Sequence, residues 1–157
     1  MSQLTWQWAQ LAELTAEQCF SICAARQAVF VVEQRCAYTD LDAFDAQAEH
    51  LIAWHGQRVA AYLRALGPAT RFDEPSLGRI LTASSHRGIG LGRELVMRGL
   101  RHVRDQYPNH SVRISAQQHL SAFYESCGFS VASPAYDEDG IPHVEMLLKI
   151  RPDTKST

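Results

Sequence analysis

The apolar positions of this chain alternate between a helical period and a strand period. Val96, Leu100, Val103 and Tyr107 recur at i, i+4, i+7 and i+11. That spacing predicts an amphipathic helix over about residues 91–106, which Pro108 and Asn109 end. Arg93, Arg98, Arg101 and Arg104 mostly fall off the stripe and read as its solvated face. Upstream, Thr15-x-x-Gln18 has the form of a capping box. It opens a helix with Cys19, Ile22, Cys23, Arg26, Val29 and Phe30 near one face, and Arg26 interrupts that face. Residues 31–45 are polar and irregular. Runs at 50–55 and 58–66 meet at Gly56-Gln57 and read as a β-hairpin. After a proline-containing loop at 67–76, strand-like runs follow at 77–82, 111–116, 129–135 and 143–149, the last two around a turn at 137–140. A short helix at about 120–127 closes at Gly128. The polar tail, 151–157, is expected to fray.

This order gives a mixed α/β domain with one strand–helix–strand crossover in its second half. No repeat or linker divides it, so one domain over residues 1–157 is expected.

The segment that changes the picture lies between the run at 77–82 and the helix at 91. It reads Arg87-Gly88-Ile89-Gly90-Leu91-Gly92. A glycine-rich loop leading into a helix exposes backbone N–H groups at the positive end of the helix dipole, a ready site for phosphate. No Lys-Ser/Thr follows Gly92, so it is not a P-loop. The glycines alternate in steps of two, mid-chain and after a hairpin, which argues against a dinucleotide-binding fingerprint.

Composition narrows the partners. The chain has 157 residues, 46% hydrophobic and 20% charged, with a formal net charge of −2. No basic tract marks a nucleic-acid footprint. No apolar run of about 18 residues is present, and no signal-peptide pattern opens the chain, so no membrane association is expected. Cys19, Cys23, Cys36 and Cys127 form no C-x-x-C pair and read as reduced, mostly buried thiols of a cytoplasmic protein. The seven histidines lack metal-ligand spacing, so no metal is expected.

The loop resembles motif A of the GNAT superfamily of acyl-CoA-dependent N-acetyltransferases, Q/R-x-x-G-x-G/A, with Arg87, Gly90 and Gly92 at the defining positions. Downstream, Ala122-Phe-Tyr-Glu-Ser-Cys-Gly-Phe129 looks like motif B, with Tyr124 four residues before Gly128-Phe129. The stretches Arg26–Gln34, Tyr38–Asp42 and Tyr136–His143 are similar to segments of the ElaA-like subfamily. The resemblance covers essentially the whole chain. It implies a central mixed, mostly antiparallel sheet flanked by helices and splayed between strands 4 and 5. It also implies transfer of an acetyl group from acetyl-CoA to a primary amine by direct attack in a ternary complex. A non-catalytic acyl-CoA sensor of the same fold is the alternative. Dimers are common in that superfamily, but no residue here marks one.

The resemblance assigns cofactor contacts to Arg87, Gly88, Ile89, Gly90 and Gly92 around the pyrophosphate. Leu81 or Thr82 would meet the acetyl carbonyl through a backbone N–H, with Ile80 and Leu81 also positioning the acyl group. Arg93, beside the loop, is expected to touch a phosphate. Tyr124 is the expected general acid at the sulfur, and its competing role is core packing. For the base, Glu33 leads because the end of the first helix borders the acceptor side, and His143 is second; a water chain can replace either. Asp40, Asp42 and Asp45 either draw a cationic amine into the cleft or form a solvated, turn-rich loop.

Overall fold

The hairpin of β2 (Glu49–His55) and β3 (Arg58–Leu66) forms the middle of an eight-stranded sheet. Both strands are buried on both faces, which is why they read as near-continuous apolar runs. The computed structural model describes residues 3–150, so the tail at 151–157 lies outside the described residues. The strand order is β1-β2-β3-β4-β5-β8-β6, with β7 paired to β8. The remaining strands are β1 (Thr5–Gln10), β4 (Ser76–Thr82), β5 (Val112–Gln117), β6 (Ser130–Val131), β7 (Tyr136–Glu138) and β8 (Ile141–Leu148). All pairings are antiparallel except β4–β5. Among the described residues no helix is long and apolar enough to cross a membrane.

The sequence pattern contains no expectation of β1, yet this strand makes 76–82 the fourth of the sheet. Its Trp6 and Trp8 alternate as a strand requires. Trp6 lies under the Arg98 guanidinium, 4.3 Å from ring centroid to Cζ, and Trp8 stacks on His102 at 3.9 Å. Of the expected strand at 129–135 only β6 forms, while β7 begins after it and takes in part of the expected turn at 137–140; both pair with β8.

Helices cover both faces. α2 (Leu91–Gln106) buries Leu95, Val96, Leu100 and Val103 against Leu51, Leu63, Leu77 and Ile114. Gly99 allows the close approach: a Cβ there would sit 2.9 Å from Leu63 Cδ2. The capping box forms as expected at the start of α1 (Ala16–Arg26). The chain then runs on through Gln27–Glu33 as a π-helical extension, closed by the Gln34 N–H to Val29 C=O bond at 3.0 Å. Ile22, Val29 and Phe30 pack on the other face of the sheet, against Ile52, Trp54, Tyr62 and Leu81.

Arg26, the interruption in the apolar face, is 2% exposed. Its Nε meets Asp40 Oδ2 at 2.8 Å and its Nη1 meets Asp45 Oδ1 at 2.6 Å. Arg64 of β3, equally buried, holds Asp42 at 2.6 Å and Asp45 at 2.9 Å. Arg79 of β4 adds contacts to Asp40 and Asp42 at 2.8 and 3.3 Å. The three aspartates therefore neither line a solvated loop nor stand free to attract an amine, as both expectations had it. They neutralise buried arginines and lash residues 40–45 to the sheet. His50 joins them: its Nε2–H donates to Asp45 C=O at 3.0 Å, and its Nδ1 accepts from the Tyr62 hydroxyl at 2.6 Å. That tautomer is neutral.

Removing one member leaves opposite charges buried without a partner. Arg26→Met is expected to cost about 3–5 kcal/mol in a denaturant titration. Acid acts in the same direction. Burial pushes Asp45 up, but hydrogen bonds from Arg26, the Asp42 backbone and Arg64 outweigh it and hold the group at about 2. Its contribution is complete above about 4, the unfolded value, and is lost as pH falls toward 2. Burial holds His50 below its ordinary 6.5, so its contribution is present above that value and lost below it. Stability should fall on acidification from pH 7 to 5, and this decline should be absent in His50→Gln. A protein that gains stability over that interval through His50 would contradict the neutral tautomer.

Candidate active site

β4 and β5 touch at one rung, Ser76 against Arg113, supported by the Arg113 N–H to Pro75 C=O bond at 3.0 Å. Arg113 locks that apex: its guanidinium grips Glu74 at 2.8 and 2.9 Å and reaches Glu145 of β8 at 3.0 Å. Past the apex the strands diverge, as the resemblance predicted. A β-bulge in β4 contributes: Arg79 and Ile80 stand between the pairs Arg64–Gly78 and Tyr62–Leu81, and Arg79 takes φ +51°. The opening is a cleft of about 300 Å³, lined by Ile80 from one strand and by Ile114, Ala116 and Gln117 from the other. Strand edges without a strand partner are suited to an extended ligand that pairs as an added strand.

The glycine loop lies beyond the end of β4. Gly88 and Gly90 have φ of +78° and +80°, a conformation open to glycine at little cost, and Gly90 caps α2. Gly92 lies under Thr82, where a Cβ would be 3.4 Å from Oγ1. Leu81 is buried beside Tyr62, and Thr82 accepts from Arg87 Nε through its carbonyl at 3.1 Å. Ile89 projects into solvent. Arg93 does not stand free beside the loop: its Nη1 donates to the Ser126 carbonyl and hydroxyl at 3.1 and 2.9 Å, closing the C-terminus of α3 (Ser121–Ser126). The carbonyls at a helix end attract a guanidinium in the same way that a phosphate would.

Tyr124 lies on α3 and lines the cleft. Phe123 and Phe129 flank it edge-to-face at 5.0 and 6.1 Å. Burial pushes its phenol well above the ordinary value of 10, so it stays protonated as a donor.

The two expected bases have different surroundings. Glu33 forms a bidentate pair with Arg87 at 2.5 and 3.0 Å, and that hydrogen bonding holds its carboxylate below the usual range. While paired with Arg87, that carboxylate is a poorer proton acceptor than a free one. His143 lines the cleft. Its Nδ1–H donates to Ile141 C=O at 2.7 Å, and its Nε2 faces Glu138 Oε2 at 3.3 Å, an ion pair when the ring is protonated. Glu138 also accepts from Ser115 Oγ at 3.2 Å and from Arg71 at 3.3 Å, and Ser115 is 2.5 Å from the Tyr136 hydroxyl. Glu138, Ser115 and Tyr136 escaped the sequence reading. The segment Tyr136–His143 was visible there, but Glu138 looked like one more turn carboxylate.

An α-helix-flanked sheet split between two parallel strands, with a glycine loop at one side and a buried phenol at the other, defines an acyltransferase of the GNAT type. The model for the acetyltransferase (GNAT) domain matches residues 10–150, and the chain belongs to that family. It is 40% identical to a UPF0039 protein of Synechocystis over 96% of this chain and 99% of that one. It is 34% identical to protein ElaA of Escherichia coli over 94% and 97%. A crystal structure described as an acyl-CoA N-acyltransferase from Pseudomonas aeruginosa matches with TM-score 0.88 and 36% identity, covering 94% of this chain and all of that one.

Burial raises Tyr38, Tyr62 and Tyr124 alike. Of the five tyrosines, Tyr62 and Tyr124 should stay protonated in a spectrophotometric titration of the folded protein to pH 11. Tyr124→Phe should leave the number of phenolates formed unchanged, and a lost phenolate would mean that Tyr124 is exposed.

Proposed function

We propose that this protein transfers an acetyl group from acetyl-CoA to a primary amine by direct attack. The observation that carries the proposal is the buried Tyr124 phenol in the cleft between β4 and β5, with the glycine loop beyond the end of β4.

In this reading the backbone N–H groups of Gly88, Ile89, Gly90 and Gly92, at the N-terminus of α2, cradle the pyrophosphate, and Arg87 adds its charge. The pantetheine arm enters the gap between β4 and β5. A backbone N–H at Leu81 or Thr82 meets the acetyl oxygen and stabilises the oxyanion as it forms. The amine must arrive neutral, although a free alkylamine is protonated at pH 7. His143 is the acceptor for that proton: Nε2 takes it, and the adjacent Glu138 carboxylate stabilises the imidazolium. The freed amine forms the C–N bond, the tetrahedral intermediate collapses, and the C–S bond breaks. Tyr124 hydrogen-bonds the departing thiolate and hands it a proton, and the second proton, which the nitrogen loses as the intermediate collapses, restores the phenol. Glu33 is not the base in this scheme. Arg93 acts by joining α2 to α3 and thereby seating Tyr124.

Tyr124→Phe should lower kcat about 10²-fold in a CoA-thiol release assay while leaving the acetyl-CoA Kd within about two-fold. His143→Gln and Glu138→Gln should each lower kcat/KM with the same Kd. Gly90→Glu should abolish cofactor binding by placing bulk and negative charge in the cradle. Tight CoA binding without thiol release across a broad amine panel would turn the reading to a non-catalytic sensor. Unchanged turnover in Tyr124→Phe would reduce Tyr124 to packing.

A further inference from the structure

The Glu33–Arg87 pair joins two parts of the site that are 54 residues apart in sequence. All three guanidinium nitrogens of Arg87 are occupied: Nη1 and Nη2 hold the two Glu33 oxygens at 2.5 and 3.0 Å, and Nε holds the Thr82 carbonyl at 3.1 Å. Thr82 ends β4. The next residue along from Glu33, Gln34, accepts from Gln117 Nε2 at 3.0 Å, and Gln117 ends β5. Two consecutive residues at the end of the π-helical extension thus form a strap, one tied to the loop that follows β4 and the other to β5.

Resting on the donor-site reading above, we propose that Glu33 is a built-in competitor for the cofactor pyrophosphate. Its carboxylate occupies the arginine fork that the phosphates need, and acyl-CoA binding displaces it. A carboxylate and a phosphate oxygen pair present the same bidentate acceptor geometry to a guanidinium. The exchange is feasible because the pair is half-exposed, at 43% and 45%, and such pairs are weak. A pyrophosphate brings more charge and adds the loop N–H groups. Releasing Glu33 also frees one end of the strap, so the donor loosens the segment carrying Phe30 and Gln34, which line the cleft. Arg87 is accordingly a donor-binding residue, and Glu33 acts on the donor only through it.

The test uses the full-length protein with coenzyme A as the titrant. If Glu33 competes, Glu33→Gln should bind coenzyme A about two- to five-fold more tightly than wild type at low salt, with the difference shrinking as salt rises. Glu94→Gln, which removes an exposed charge from the first turn of α2, should change the Kd less. Amide exchange over residues 27–36 should speed up when coenzyme A binds wild type, and should already be fast in Glu33→Gln. Weaker or unchanged binding by Glu33→Gln, equal tightening by Glu94→Gln, or slowed exchange over 27–36 would each overturn this inference while leaving the donor site standing. Failure of the wild-type protein to bind coenzyme A would sink the donor-site reading and this inference with it.

Discussion

Two arginines buried beneath three aspartates set the constraint that the rest of the structure meets. Arg26 and Arg64 are almost fully removed from water, and an unpaired guanidinium there would cost several kcal/mol. All of their carboxylate partners come from one short stretch, Asp40, Asp42 and Asp45. The chain after α1 therefore has little freedom. It must return across β3 and β4, and in doing so it presents Gln34, Cys36 and Tyr38 to the cleft. Asp42 connects the two regions, pairing with Arg64 in the network and reaching Arg79 at the β4 bulge. Packing alone would hold α1 on the sheet; the ionic network decides where the segment beyond it runs.

The cleft itself comes from an interrupted ladder. One rung, clamped by Arg113, holds β4 and β5 together, and divergence above it leaves backbone edges exposed in the interior of a sheet. Open edges ordinarily invite unwanted strand pairing. Here the cleft between them is lined by Tyr124 of α3 and by Gln34, Cys36 and Tyr38. Tyr124 and His143 reach the same cavity from α3 and β8, two separate elements.

Much of this was legible locally. The capping box at Thr15, the apolar stripe of α2, the hairpin at Gly56 and the glycine loop all involve residues within about one turn or one rung of each other. The misses share a different character. β1 carries two tryptophans and has no long apolar run; its ladder to β2 and the packing of Arg98 and His102 of α2 on its tryptophans hold it. The aspartates at 40–45 have the spacing of an Asx-rich turn, and nothing nearby reveals Arg64 or Arg79. Glu33 stood out as a carboxylate at a helix end, but its partner was 54 residues away. Glu138 looked like part of a turn until the β7–β8 pairing brought it beside His143.

The amino-acid sequence by itself determined the glycine loop and the start of α2 that it caps. A phosphate cradle is made of glycine torsions and backbone N–H groups at a helix start, and both are local properties that a short motif specifies. Only the tertiary structure decided the ionisable groups: which carboxylates are paired with arginines, which histidine faces a carboxylate, and which tyrosine is buried. The charge state of a side chain depends on desolvation and on partners within a few ångströms, and folding brings those together from distant parts of the chain.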